Sequence, residues 1–407
     1  MGKKYISVIA VFLFLSLFGK SQNEPLAILL TWTEDPTTTM SIDWHTMERQ
    51  PENLFYREMG KEEWLEEAGK THPFPFSDRF VHRVALRRLK PGTSYQVRFG
   101  AFDKVYHFKT IPDNTALEPL RIAIGGDTMH EREMLEKTNS QVLKQNPHFI
   151  IMGGDLAYEN GAAEAVDKVH NWFEGCKNSL ITDDNRIIPI VVGIGNHEVA
   201  GGYYSPEKFS GSNEDREKYS PYFYSLFPFP GQPGYNVLDF GNYLSLFMLD
   251  TGHNNPISGE QTDWLDAELN KRKNFLHIIP VYHIPAYPSV RDFTGPRSKD
   301  VRNYWLPLFE EHNIKLAFEN HDHAYKRTFP IRRNEINDKG IVFVGDGAWG
   351  VRIREVHNVD STWYLNKALS QRHFVLLTIQ GSHQQLTTIN EEGQVIDTYP
   401  EMLNRSK

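Results

Sequence analysis

From Leu26 to about Pro112, short stretches alternate apolar and polar residues between turn residues: LAILLTW, TMSIDWHT, NLFYREM, RFVHRVALRRL, SYQVRFGA and VYHFKTI. A period of two with frequent turn signals predicts half-buried antiparallel strands, and a series of them predicts an all-β sandwich. The proline-containing, polar stretch PDNTALEP, residues 112–119, then reads as a linker. After Leu120 the rhythm changes. Near-continuous apolar runs, RIAIGG, HFIIMGG, IIPIVVGIG, FLHIIPVY and KLAFEN, are interleaved with amphipathic stretches such as EREMLEKTNSQVLKQ, GAAEAVDKVHNWFEG, GEQTDWLDAELNKRK and SKDVRNYWLPLFEEHN. This predicts an α/β fold with buried, mostly parallel strands joined by helices. YNVLDFGNYLSLFMLDT reads as an antiparallel hairpin, turning at Gly241 and Asn242, that opens a second sheet. GIVFVGDG, HFVLLTIQG and QLTTINEEGQVIDTY add strands with no long helix between them. The expected core is sheet on sheet, flanked by helices.

Nearly every apolar run of the second part leads into an oxygen or imidazole donor. In order these are Asp127, Asp155 with Tyr158, Asn196 with His197, His283, and His321 with His323. Ligands in open α/β sheets bind outside the carboxyl ends of the strands, so the donors should converge in one crevice. Carboxylate, phenol, amide and imidazole together suit transition metals better than calcium. His321 and His323 are two apart, and on a strand both would point to one face and could serve one metal each. Two metals about 3.5–4 Å apart clamp the attacking and leaving oxygens of an in-line displacement. That is the chemistry of phosphate-ester hydrolysis. GxxxxGKS is absent, so no nucleotide or organic cofactor is expected.

Composition narrows the partners. The 407 residues carry a formal net charge of -8 and a pI near 6.1, which leaves no footprint for nucleic acid. A phosphate ester, small or polymeric, would have to be held by local positive charge. Cys176 is the sole cysteine, so no internal disulfide can form; it reads as a small buried hydrophobe. Lys3 and Lys4 precede an apolar run from Ile6 to Phe18, with Gly19 and Ser21 before Gln22. A run of roughly 13 apolar residues is short of the ~20 a bilayer span needs, so residues 1–21 read as a cleaved export signal, with no span remaining afterwards. The mature protein would be periplasmic or secreted; its oligomeric state is open.

In this order, GGDT, GGDLAY, GNHE, VYHIPAY and NHDHAY resemble the five metal blocks of the calcineurin-like metallophosphoesterases. GDLAY, with the β-rich LLTWTEDPTTTMSIDW in front, resembles more narrowly the purple acid phosphatases. LKPGTSYQVRF places Tyr95 after a Pro91-Gly92 turn, similar to the tyrosine corner of fibronectin type III domains. The resemblance implies a fibronectin type III-like domain over residues 25–112 and a four-layer αββα catalytic domain over 119–400. It implies a ferric site of Asp127, Asp155, Tyr158 and His323, and a divalent iron, zinc or manganese site of Asp155, Asn196, His283 and His321, with Asp155 bridging. His197 would contact phosphate and protonate the leaving oxygen, while a hydroxide generated on the metals attacks phosphorus. The activity implied is that of an exported acid phosphatase acting on phosphomonoesters. A phosphodiesterase or nucleotide hydrolase on the same metals is the alternative, and a non-catalytic binding protein the one after that.

Departures from the family pattern are local. Met129 stands for a glycine in the first block and is followed by His130, Pro280 stands for a valine, and Asn320 for the glycine before the histidines. None removes a donor. After the fourth block, PAYPSVRDFTGPRSKD lacks further histidines and carries Tyr287, Arg291 and Arg297 instead, so substrate contacts do not transfer. Either arginine could grip an anion, although a solvated loop arginine is the commoner case. His130 and His253 read more readily as hydrogen-bonded side chains than as substrate contacts. Tyr287 and Tyr325 could line the pocket or pack, and Glu198 reads as a hydrogen-bonding prop for its loop.

Overall fold

The alternating N-terminal runs form two four-stranded antiparallel sheets in the computed structural model, which describes residues 24–49, 53–100, 102–116 and 118–400. One sheet orders Ala27–Thr31, Met40–Thr46, Phe80–Leu86 and Lys70–Pro73; the other orders Leu65–Glu67, Leu54–Glu58, Ser94–Phe99 and Tyr106–Lys109. Leu65–Glu67 and Lys70–Pro73 are strands the apolar pattern does not announce. Both are short, polar edge strands with little buried face to impose alternation. The Tyr95 hydroxyl accepts the Lys90 amide at 2.9 Å, fixing the corner at that strand's start. The export-signal segment lies outside the described residues. Among the described residues no helix is long and apolar enough to cross a membrane.

Two mixed sheets build the second part. In the first, Ile190–Val192, Phe149–Met152 and Leu120–Gly125 run parallel, and His373–Gln380, His383–Asn390 and Val395–Tyr399 continue antiparallel. In the second, Leu244–Leu249, His277–Tyr282, Leu316–Glu319 and Val342–Gly345 are parallel. Asn236–Phe240 forms its hairpin edge, and Tyr325–Thr328 with Leu365–Leu369 closes the other side antiparallel. Ile122, Ile124 and Ile151 of one sheet and Leu246, Ile279, Val281 and Phe318 of the other belong to one buried cluster between the sheets. The intervening Ala123, Ile150 and Met152 join a second cluster with Leu135, Trp172 and Phe173 of the helices Arg132–Lys144 and Val166–Ser179. Phe247, Tyr282 and Ala317 do the same with Leu265 and Leu269 of Glu260–Lys271, and with Trp305 and Phe309. Burial on both faces explains why these strands are apolar throughout rather than alternating. The layers are helix, sheet, sheet, helix.

The β sandwich is welded to this core. Trp32, fully buried, meets Phe149 edge-on at 5.5 Å and Phe240 at 6.1 Å, and Arg79 pairs with Glu174 at 2.8 Å. Cys176 is buried inside the helix Val166–Ser179, where burial pushes its thiol pKa up.

Candidate metal centre

The donors follow the carboxyl ends of parallel strands in the two sheets, and the chain turns sharply at most of them. Asp127, Asp155, Tyr158, His321 and His323 all have left-handed backbones, with φ between 53° and 80°. Non-glycine residues adopt that region at a cost, and such outliers cluster at functional sites. His321 and His323 therefore do not lie on a strand, contrary to the same-face expectation: Leu316–Glu319 ends before them and Tyr325–Thr328 begins after. The loop sends the two imidazoles to different partners.

His323 Nε2 lies 3.0 Å from Asp127 Oδ1 and 3.0 Å from the Tyr158 hydroxyl, which is itself 3.2 Å from Asp127 Oδ1. His321 Nδ1 lies 3.1 Å from His283 Nε2, which is 3.0 Å from Asp155 Oδ2. Asp155, His283 and His321 gather donor atoms within 4.8 Å of one another. The two groups are sewn together by Asp127, whose Oδ2 accepts the His321 amide at 2.8 Å. Their carbonyl-side turns also pair, Thr128 N donating to Asp155 O at 2.9 Å. Asn196 follows Gly195, where any side chain would overlap the Asp155 carboxylate. Among the described residues its Oδ1 is buried without a hydrogen-bond partner.

The donor set fits cations, for a reason of proton supply. The carbonyl of Gly153 faces His283 Nδ1 at 3.0 Å, and that of Arg352 faces His323 Nδ1 at 3.1 Å. A carbonyl only accepts, so each Nδ1 carries the proton, and each neutral ring presents a lone pair at Nε2 to a carboxylate. Acceptor facing acceptor at 3.0 Å is stable only with a positive charge between them. Without an ion the pair must take up a proton. His283 is accordingly pushed up to about 9, its burial outweighed by Asp155 and Asp127, and Asp155 is driven down despite its own burial, mainly by His283. Tyr158 is pushed up by burial and by Asp127, so only a strong cation would hold it as phenolate.

Around these donors the remaining residues take separate places. His197 is partly exposed; its amide donates to Asp155 Oδ1 at 2.8 Å and its Nε2 is 4.0 Å from Asp155 Oδ2. Its ring leans on Tyr158 at 4.2 Å, and burial holds its pKa below the usual value. Nδ1 is 2.5 Å from Oδ1 of Asn160, a partner that sequence reading missed although it stands two residues after Tyr158. Glu198 is fully inward, accepting the amides of Gly195, Asp155 and Leu156 at 2.7, 2.8 and 2.7 Å; burial raises it to about 7. His130 stands edge-on to Tyr158 at 4.5 Å and is lowered to about 4, first by burial. Tyr325 and Tyr287 are buried packing residues, bonded to Asp397 and Asn334. Asn320 lies over Gly126 and Gly153, where a side chain would overlap it, and donates to Tyr282 O at 2.9 Å.

Three buried carboxylates, all outside the donor series, pin the loop after His283. Glu319 accepts the Ala286 amide at 2.7 Å, Asp346 that of Ser289 at 3.0 Å, and Asp322 those of Val290 and Arg291 at 2.7 and 3.1 Å. Lys326, fully buried, neutralises Glu319 at 2.5 Å and Asp346 at 3.5 Å.

Comparison with known proteins agrees with the fold. Residues 25–110 match the family model of the purple acid phosphatase N-terminal domain, and residues 120–325 that of the calcineurin-like phosphoesterases. Purple acid phosphatase 15 of Arabidopsis thaliana is 24% identical over 67% of this chain. Acid phosphatase type 7 of Homo sapiens is 23% identical over 78% of the chain and 76% of its own length. The chain spans 54% of the length of purple acid phosphatase 15, about half. A purple acid phosphatase from yellow lupin seeds superposes with a TM-score of 0.74 at 19% identity, covering 92% of this chain and 74% of that one.

Proposed function

Since the chain belongs to the calcineurin-like phosphoesterases and carries a purple acid phosphatase N-terminal domain, we propose that it hydrolyses phosphomonoesters at a two-metal centre. The observation that carries this reading is the convergence of carboxylate, imidazole and phenol groups at 3.0–3.2 Å, a donor set that a cation would satisfy. Asp127, Tyr158 and His323 would hold one ion, Asn196, His283 and His321 the other, and Asp155 both. Tyrosinate is a hard anionic donor, which favours iron(III) in the first position; the second suits divalent iron, zinc or manganese. Bound there, the pair would neutralise phosphate charge and lower the pKa of water.

The chain's own part is orientation and proton transfer. Asn160 fixes the His197 ring so that Nε2 faces the crevice beside Asp155, and a protonated His197 donates from Nε2 to the leaving oxygen as the ester bond breaks. No side chain need form a covalent bond to phosphorus. Export rests on the segment from Lys3 to Ser21, ahead of the described residues.

The test is the metal-loaded protein with p-nitrophenyl phosphate and bis(p-nitrophenyl) phosphate, each with and without chelator. Faster monoester turnover, lost on chelation, is expected. Equal or greater diester turnover overturns the monoester ranking, and full activity in D155N and H197A overturns the catalytic assignment.

A further inference from the structure

Of the two arginines in the loop after His283, one is committed and one is not. Arg291 Nε lies 3.3 Å from Asp322, a fully buried carboxylate. Arg297 has no carboxylate at ion-pair distance among the described residues. Its Nε donates toward the Gly252 carbonyl at 3.4 Å, and neither Nη has a hydrogen-bond partner among the described residues. The guanidinium lies over the ring of Tyr203, 3.8 Å from its centroid, so its position is set by stacking and its edge is left free. The Tyr203 hydroxyl is also without a hydrogen bond among the described residues.

This pair leads to the centre through stacked rings. Tyr203 stacks on His253 at 5.7 Å, and His253 meets His283 edge-on at 5.5 Å. His253 is fully buried, with Nδ1 on Gly202 O at 3.0 Å and Nε2 on Thr251 Oγ1 at 3.1 Å, so it is a spacer with no donor left to give. The segment that carries Tyr203 also borders Asn196: a side chain on Gly202 would lie 3.6 Å from Asn196 Cβ. Arg297 and Tyr203 thus stand on the His283 and Asn196 side of the centre, linked to His283 through the ring of His253.

We infer that Arg297, stacked on Tyr203, is an anion subsite that selects phosphate esters carrying a second phosphoryl group on the leaving alcohol. The guanidinium edge offers two Nη groups in one plane, the geometry that takes two oxygens of a phosphoryl group at once, with the Tyr203 hydroxyl beside it. Asp250 and Asp300 act on this half-buried guanidinium only from beyond ion-pair distance, so a bound anion would be its first direct counter-charge. The inference rests on the phosphatase reading for the position of the first phosphate, not for the existence of the subsite.

The experiment compares butyl phosphate with straight-chain alkanediol bisphosphates of two to six carbons, on the metal-loaded protein. One spacer length should give a KM about tenfold below that of butyl phosphate, the factor a charge-assisted bidentate contact supplies. R297Q should raise the bisphosphate KM about tenfold more than the butyl phosphate KM, and R297K, which keeps charge but not the fork, should fall between. A bisphosphate-to-butyl phosphate KM ratio that stays within twofold of wild type in R297Q overturns the subsite. Equilibrium dialysis of the same ligands reads the same ratio without turnover. A protein that cleaves neither ester yet keeps the ratio, and loses it in R297Q, retains the subsite and rejects the phosphatase reading.

Discussion

Asn160 grips His197 twice: its backbone amide donates to the His197 carbonyl at 2.8 Å, and its side-chain Oδ1 lies 2.5 Å from Nδ1. An amide oxygen only accepts, so the ring proton sits on Nδ1 and Nε2 faces the crevice. Asn160→Ala should lower kcat about tenfold, the worth of one well-placed hydrogen bond of about 1.4 kcal/mol, while metal content stays at the wild-type level. Kinetics beside elemental analysis check this; loss of metal in the variant would mean that Asn160 supports the ligands instead.

Glu198 ties three amides of two ligand-bearing turns to one carboxylate. In Glu198→Gln a donor NH2 must face an amide N–H. Metal affinity should fall about 10–100-fold, as for other groups that orient ligands from behind. Titration of the apoprotein with zinc or manganese measures it.

Tyr158→Phe removes the phenolate donor but keeps the ring against His197 and His130. If iron(III) sits there, the visible charge-transfer band of the native protein should vanish in the variant. Chelation should also lower Tm, because an ion bound only to the folded state stabilises it by mass action. A colourless native protein would refute the iron assignment.

Lys326 is buried between Glu319 and Asp346, and those carboxylates hold the backbone of Ala286 and Ser289. Lys326→Met leaves them uncompensated, at a cost of about 3–5 kcal/mol. Denaturant unfolding should read that loss, and hydrogen exchange at residues 286–291 should quicken beyond the global change.

Asp397 supplies a pH dependence away from the centre. Burial would raise its pKa, but hydrogen bonds from Arg327 Nε and the Tyr325 hydroxyl, each 2.6 Å, bring it below the usual carboxylate value. A depressed folded pKa stabilises above the unfolded value near 3.9, and the contribution is lost as pH falls through the folded pKa. Asp397→Asn should therefore be less stable than wild type at pH 6, with the gap in Tm narrowing as pH falls below about 4. A gap constant over pH 3–6 would sink this account.

The strand ends were legible because each is local. An apolar run such as HFIIM can only be a doubly buried strand, and the Gly-Gly-Asp that follows must turn. The order of the donors, the hairpin at Gly241 and the sandwich with its Tyr95 corner belong to this local class. The misreading of His321 and His323 as strand residues came from applying period-two geometry past Glu319, where the backbone had already turned left-handed.

The tertiary structure decided the rest, because distances between loops depend on sheet register and on how the two sheets face each other. Spacing pairs neither His323 with Tyr158 nor His321 with His283 across 38 residues; the family resemblance groups them, and the loops set the distances at which they meet. Asn160, two residues past a recognised donor, gained meaning only from the loop that brings His197 over it. Arg291 and Arg297 look alike in sequence; what separates them is that a buried Asp322 faces one and the ring of Tyr203 the other. By itself the sequence determined which atoms are available at the strand ends. Packing determined which of them meet, because only close approach turns a donor into a site.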